Sequence, residues 1–186
     1  DSEIGSYENI LYQLYTDSEL AEKIRQLNNG EASAVARNQI RRELRSVFWL
    51  RDDITAITVI AKNNEQVFYD RLSTSLQTNP CIQNFDLTDD ELFAALSATK
   101  GYTIYPVRFA THFANSDYYL FYIGHKGLNE KAITQTDAVF LISVDVDLIR
   151  TALKASSFSN EEYYSFIIDQ SGHVVFHPDL SCIGEF

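Results

Sequence analysis

Residues 54–72 read ITAITVIAKNNEQVFYDRL, and their period decides what kind of fold the chain adopts. Ile54 to Ala61 is apolar and β-branched, Asn63-Asn64 suits a tight turn, and Gln66 to Leu72 alternates between polar and apolar residues. That pattern is a β-hairpin. Everything before it has a different period. Ile4, Tyr7, Ile10, Leu11 and Leu14 fall at helical spacing, and Leu20, Ile24 and Leu27 continue the stripe. Thr16-Asp17-Ser18-Glu19 has the form of a capping box opening a new helical turn. Asn28-Asn29-Gly30 breaks the stripe, and a further helix over 31–50 places Ile40, Leu44, Val47 and Phe48 on one side. Arg37, Arg41 and Arg45 line another side of it and read as a solvated helix face. The first 50 residues are therefore an interrupted amphipathic helix whose apolar stripe should pack on the back of a sheet.

Beyond the hairpin comes a polar stretch, 73–90, then a short helix over 91–98. Three more strands are expected at 102–109, 118–123 and 139–146, followed by a helix over 148–155. Five antiparallel strands with a helical insertion after the second make an α+β sheet domain, not a run of βαβ units. The chain then starts the pattern afresh. Phe166 to Ile168, the turn Asp169-Gln170-Ser171-Gly172, and Val174 to Phe176 form a second hairpin, stopped by Pro178. Two strands alone are marginal in water, so this hairpin reads as the opening of a second sheet.

With 186 residues, 45% hydrophobic and 13% aromatic, the chain can build a substantial core. No run approaches the roughly 18–20 apolar residues of a membrane span. It starts at Asp1 and holds no Met, which reads as a segment of a longer protein. A formal net charge of −11 argues against a nucleic-acid partner or an anionic-membrane surface. Cys81 and Cys182 stand far outside any C-x-x-C spacing, and whether they are free or joined is left open.

Templates for catalysis are missing: there is no G-x-S-x-G, H-E-x-x-H or phosphate-binding glycine loop. Asp145 and Asp147 read as a strand-end pair, with a divalent ion as the alternative. His173, His177, Asp179 and Cys182 make a ligand-rich neighbourhood for Zn²⁺, but the turn and Pro178 interrupt it. His112 and His125 are expected in loops flanking the fourth strand, without a sequence-adjacent partner for acid–base work. Neither an enzyme, a metal nor a cofactor is expected. What stands out is a polar-aromatic group on the middle strands: Tyr102, Tyr105 and Arg108 on the third, Tyr118, Tyr119 and Tyr122 on the fourth, and Asp145 ending the fifth. Rings with hydroxyls, a planar cation and a carboxylate together suit a small-molecule pocket. Tyr105, Arg108, Tyr122 and Asp145 are the expected lining, although alternation sets Tyr105 and Arg108 on opposite faces unless a bulge intervenes near Pro106.

In this order of elements, four stretches carry a resemblance. NILYQLYTDSELAEKIRQL (9–27), LRSVFWLRDDITAITVIAKNNEQVFYD (44–70), AVFLISVDVDLIRTAL (138–153) and FIIDQSGHVVFHPDLSCIGEF (166–186) resemble the double-Cache, PAS-like ectodomains of bacterial sensor histidine kinases, Gram-positive ones above all. The resemblance implies N-terminal stalk helices over 1–53, a membrane-distal PAS-like module over 54–157, and the start of a membrane-proximal module over 158–186. It implies an extracellular sensor of a small molecule, anchored by membrane helices outside this chain. A kinase output is implied, with a chemoreceptor or diguanylate cyclase output, or a ligand-free dimerisation or adhesion module, as the alternative. The interrupted stripe of Tyr7, Leu14, Ile24 and Leu27 leads to the further expectation of a homodimer through the N-terminal helix. In amino-acid-binding members an arginine and a tryptophan precede the third strand, with a tyrosine and a strand-end aspartate further on. Asp145 suits that aspartate and Tyr119 or Tyr122 that tyrosine. The only tryptophan here is Trp49 in the stalk, so Asp145 alone is carried over.

Overall fold

The structure, a computed structural model, describes residues 3–31, 33–73, 77–83, 85–106, 110–127, 136–149, 167–168 and 174–176. Three helices open the chain: α1 (Glu3–Thr16), α2 (Ser18–Asn28) and α3 (Ser33–Phe48). The sequence suggested a capping box on Thr16; the cap is Asp17. Its carboxylate accepts the N–H groups of Glu19 and Leu20 at 2.8 and 3.1 Å, while Thr16 Oγ1 donates back to the Tyr12 carbonyl at 2.6 Å. A carboxylate outcompetes a hydroxyl there because the first turn of a helix presents unpaired donors and positive potential. The expected break after Asn28 is a full reversal. Gly30 takes a φ of +70°, open to glycine without strain. The chain then returns along α2, so that Glu19 and Lys23 of α2 flank Gln39, Arg42 and Glu43 of α3.

Strands β1 (Ile54–Ala61) and β2 (Gln66–Asp70) form the expected hairpin, and β6 (Ala138–Asp145) pairs along the other side of β1. All eight residues of β1 are buried, which explains its unbroken apolar run: both faces of this central strand are covered. The sheet has six strands where five were expected. After β3 (Thr103–Tyr105), a separate strand β4 (Ala110–Phe113) turns through Ala114 and Asn115, both at positive φ, into a long β5 (Ser116–Lys126). Two consecutive residues at positive φ give the twist that a two-residue hairpin needs. The order is β2-β1-β6-β5-β3, with β4 on β5, and every pairing is antiparallel.

Alternation sends the two faces to two cores. On the back, Ile57, Val59, Phe121, Ile123, Phe140, Ile142 and Val144 meet the stripes of α1, α2 and α3. Tyr7, Leu14, Ile24 and Leu27, the stripe expected to be shared with a partner, are buried in this core. Each fully buried aliphatic side chain is worth roughly 1.5–3 kcal/mol. The arginine stripe of α3 is not a uniformly solvated face. Arg37 donates to the Gln66 carbonyl at 3.0 Å and pairs with Glu65, and Arg41 lies 5.3 Å from the centre of the Tyr69 ring, so two of the three arginines cover the outer edge of β2. Arg45 is exposed.

On the front, Ala56, Ile60, Leu120, Tyr122, Val139 and Leu141 are covered by Cys81 from the 71–88 segment and by Leu92 and Leu96 of α4 (Asp89–Ala98). Thr88 and Glu91 close a reciprocal capping box at the start of α4. Gly124 lies beneath this helix: a Cβ there would stand 2.8 Å from both Leu96 methyl carbons. Cys81 is a free, buried thiol, and Cys182 lies outside the described residues. The strand expected to end at 146 ends at Asp145, and 146–149 is helical; the remainder of the helix expected to 155 lies outside the described residues. Strands β7 (Ile167–Ile168) and β8 (Val174–Phe176) pair with each other in a separate two-stranded sheet, as the terminal hairpin requires.

Candidate functional site

The register lays one row of residues across the front of five strands: Asp70, Ala56, Ser143, Tyr122 and Tyr105, each opposite the next. Asp145 stands one step along on β6, opposite Leu120 of β5, on the same face by alternation. Tyr105, Tyr122 and Asp145, three of the four expected lining residues, therefore share one covered surface. Arg108 lies outside the described residues. Two small, fully buried residues, Ala56 and Ser143, stand at the middle of the row between Asp70 and the two tyrosines.

Each polar group has an assignable setting. Tyr122 donates to the Cys81 carbonyl at 2.7 Å, and the Phe85 ring meets Tyr122 and Tyr105 edge-on, centroids 4.7 and 5.3 Å away. Burial raises the pKa of both hydroxyls, keeping them neutral donors. Asn79 donates to Thr58 Oγ1 at 2.8 Å and accepts the Cys81 N–H at 3.1 Å, which fixes the covering segment to the floor. Ser143 Oγ is buried, and no described residue hydrogen-bonds to it. An unpaired buried hydroxyl costs free energy, and a site for a polar ligand atom is one setting in which that cost is offset.

Asp145 has a role the sequence reading did not foresee: its Oδ1 accepts the Asp147 N–H at 2.8 Å, so it caps the helical turn that begins at 146. Asp145 and Asp147 are thus cap and first-turn residue, not two ligands on one strand face. Among the described residues no group of three or more His, Cys, Asp or Glu is placed to hold a metal; His173, His177 and Asp179 lie outside them. Other expectations move to the back. Tyr102 donates to the Glu8 carbonyl at 3.2 Å and sits with Tyr15 and His125. His125 lies within β5, not in a loop, and stacks on Tyr15 at 4.3 Å; burial lowers its pKa. His112 is exposed on β4, its Nδ1 2.9 Å from Asp117. Tyr118 faces the front and Tyr119 the back.

Asp70 was read only as part of a strand. It is buried, accepts the Ser73 N–H at 2.8 Å, and has its pKa raised chiefly by burial, as does Asp145. Both carboxylates act electrostatically on Cys81, whose thiol burial keeps protonated. Asp53 behaves oppositely: burial pushes its pKa up, but hydrogen bonds from Arg51 and Tyr7 and the charge of Arg51 outweigh this and hold it below the ordinary value of 3.8. The signs give a pH profile. A carboxyl with a raised folded-state pKa binds its proton more readily folded than unfolded, so stability rises as pH falls through that pKa; the reverse holds for Asp53. The melting temperature should climb as pH falls from neutrality and then drop below 3.8, as Asp53 takes up its proton. Relief of the −11 net charge contributes to the climb, so Asp70→Asn is the control. Thermal melts of this variant should show a shallower climb; an unchanged slope would remove Asp70 from the explanation.

No protein-family model matches the chain, and no curated protein matches it. Solved structures do. The chain is similar to the periplasmic sensory domain of the Campylobacter jejuni chemoreceptor Tlp1, with a TM-score of 0.62 and 10% identity over 98% of this chain and 70% of that one. It is also similar to the ligand-binding domain of the Pseudomonas aeruginosa amino-acid chemoreceptor PctC in complex with GABA (TM-score 0.51, 14% identity, 99% of this chain and 73% of that). The ligand-binding domain of the Pseudomonas fluorescens chemoreceptor CtaA in complex with L-serine gives a TM-score of 0.51 and 13% identity over 98% of this chain and 71% of that. At such identities the likeness concerns the fold: helices on one face of an antiparallel PAS-like sheet.

Proposed function

We propose that this chain is the extracellular sensing region of a bacterial transmembrane signalling receptor, and that it binds a small molecule at the front of the sheet. The observation that carries the reading is the convergence of Tyr105, Tyr122, Asp145 and Asp70 on one covered face, in a fold similar to that of periplasmic sensory domains. The reading makes 54–157 the membrane-distal module and takes the β7–β8 hairpin as the opening of a second one. Among the described residues no helix is long and apolar enough to cross a membrane, so the anchor belongs to segments outside this chain. The output is the finer question: the resemblance in the sequence points to a histidine kinase, and the solved neighbours to a chemoreceptor. A homodimer through the N-terminal helices belongs to the same reading and would use outward positions such as Tyr12.

The surface named by these residues carries two carboxylates, tyrosine hydroxyls and aromatic edges. It suits a cationic or polyhydroxyl ligand better than an anion. A thermal-shift screen of sugars, amino acids, organic acids and peptides tests this, because a ligand that binds only the folded state raises the melting temperature. Amines or polyols should produce the shifts. Asp145→Ala should then weaken the best hit by about 1–3 kcal/mol, the usual loss for a charged hydrogen bond. Shifts from organic acids alone would overturn the charge argument, and unchanged affinity in Asp145→Ala would remove Asp145 from the site.

A further inference from the structure

The front face and the first helix are joined through one residue. The Asp145 N–H donates to the Asp53 carbonyl at 2.9 Å. The carboxylate of that same Asp53 is gripped from α1 and from the α3–β1 connection. Tyr7 Oη donates to it, and Arg51 binds it bidentately, Nε to Oδ1 at 2.9 Å and Nη2 to Oδ2 at 2.7 Å. Arg51 reaches back to α1 twice: Nη1 donates to Ser6 Oγ, and the guanidinium carbon lies 4.5 Å from the centre of the Tyr7 ring. Tyr7 is 0% and Asp53 8% exposed, and the Arg51 side chain keeps 25% of its surface exposed. The Tyr7 ring also stands edge-on to Phe121 of β5 at 6.0 Å, so the start of α1 is seated on the sheet by one ring and one ion pair.

We infer that Asp53 is a coupling residue: its backbone carbonyl holds the end of β6 at Asp145, its carboxylate holds the first turns of α1, and a change at Asp145 is passed to α1 through it. The reasoning is geometric. Asp145 is both the last residue of β6 and the cap of the helical turn after it, so a change in what its carboxylate holds shifts the strand end. The strand end is tied to the Asp53 peptide, and an aspartate whose carboxylate is fixed at both oxygens cannot move its backbone without moving its partners. Such a bidentate, buried pair has discrete arrangements, not a continuous range. This inference rests on the sensing reading for its purpose but not for its test.

The test is amide hydrogen exchange on the 186-residue chain, with no ligand and Asp145→Ala as the perturbation. Amides of β1 and β6 report global opening, and those of residues 7–11 report α1. In the otherwise unaltered chain, Asp145→Ala should speed exchange at 7–11 about fivefold beyond any change in β1 and β6, a factor typical of a lost helix cap. In a Tyr7→Phe background, which lacks the hydroxyl on Asp53, the same substitution should add nothing at 7–11. Arg51→Lys, which ends the bidentate grip, serves as a second background should the first prove too unstable. If α1 is indifferent to Asp145→Ala, or responds equally in both backgrounds, Asp53 is not the coupling residue. A screen with no binding ligand would remove the sensing reading and leave this result standing.

Discussion

Asp53→Ala is expected to destabilise the chain by about 2–4 kcal/mol, somewhat less than removing one partner of a fully buried ion pair because the Arg51 side chain keeps 25% of its surface exposed. The loss goes beyond two salt-bridge contacts. Arg51 would lose the carboxylate that holds two of its nitrogens, and the Tyr7 hydroxyl would lose the carboxylate to which it donates inside the core. Asp53→Asn keeps an acceptor for Tyr7 and should cost less. Replacing Asp53 and Arg51 together by leucine and methionine should recover much of the loss, because no charge is then stranded. Urea denaturation of the three variants gives the comparison. If the double variant proved as unstable as Asp53→Ala, stranded charge would not be the cause.

Phe121→Ala should be comparably severe, about 3–5 kcal/mol, for a different reason: it empties the floor beneath α1. Phe121 is fully buried on the back of β5 and receives the Tyr7 ring edge-on. Its loss leaves a cavity between helix and sheet that neither can close without breaking the Asp53 contacts. The two substitutions should therefore be less than additive, since each already releases the start of α1. Denaturation of the double variant measures this. Strict additivity would mean that ring and ion pair seat the helix independently.

The fold was legible where one force dominated. β1 and β6 are buried on both faces, so their apolar, β-branched runs had no other use, and the helical stripes before residue 50 had a single sheet to cover. β4 and the start of β5 were missed because the turn between them uses Ala114 and Asn115 in place of glycine and the residues beside it, Thr111, His112, Ser116 and Asp117, are polar. Part of the candidate surface could be read too: tyrosines and a terminal aspartate on adjacent strands point to one face once pairing is antiparallel. Asp70 and Asp53 escaped because each lies at a strand boundary, where a carboxylate normally meets water. What buries them is the 71–88 segment in one case and α1 in the other, and neither contact has a periodic signal. Asp145 was chosen for a ligand and is also a cap, a double use that only the turn after it reveals.

One hydrogen atom sets the height of the roof over the front face. A methyl added to Gly124 would stand 2.8 Å from both methyl carbons of Leu96 and 3.3 Å from one of Leu141. Residue 124 thus works as a shim of zero thickness. A methyl there forces the end of the Leu96 side chain aside, at a position distinct from Asp70, Asp145, Tyr105 and Tyr122. A single floor residue can therefore alter how closely the helix covers the front face while the polar groups of that face stay in place.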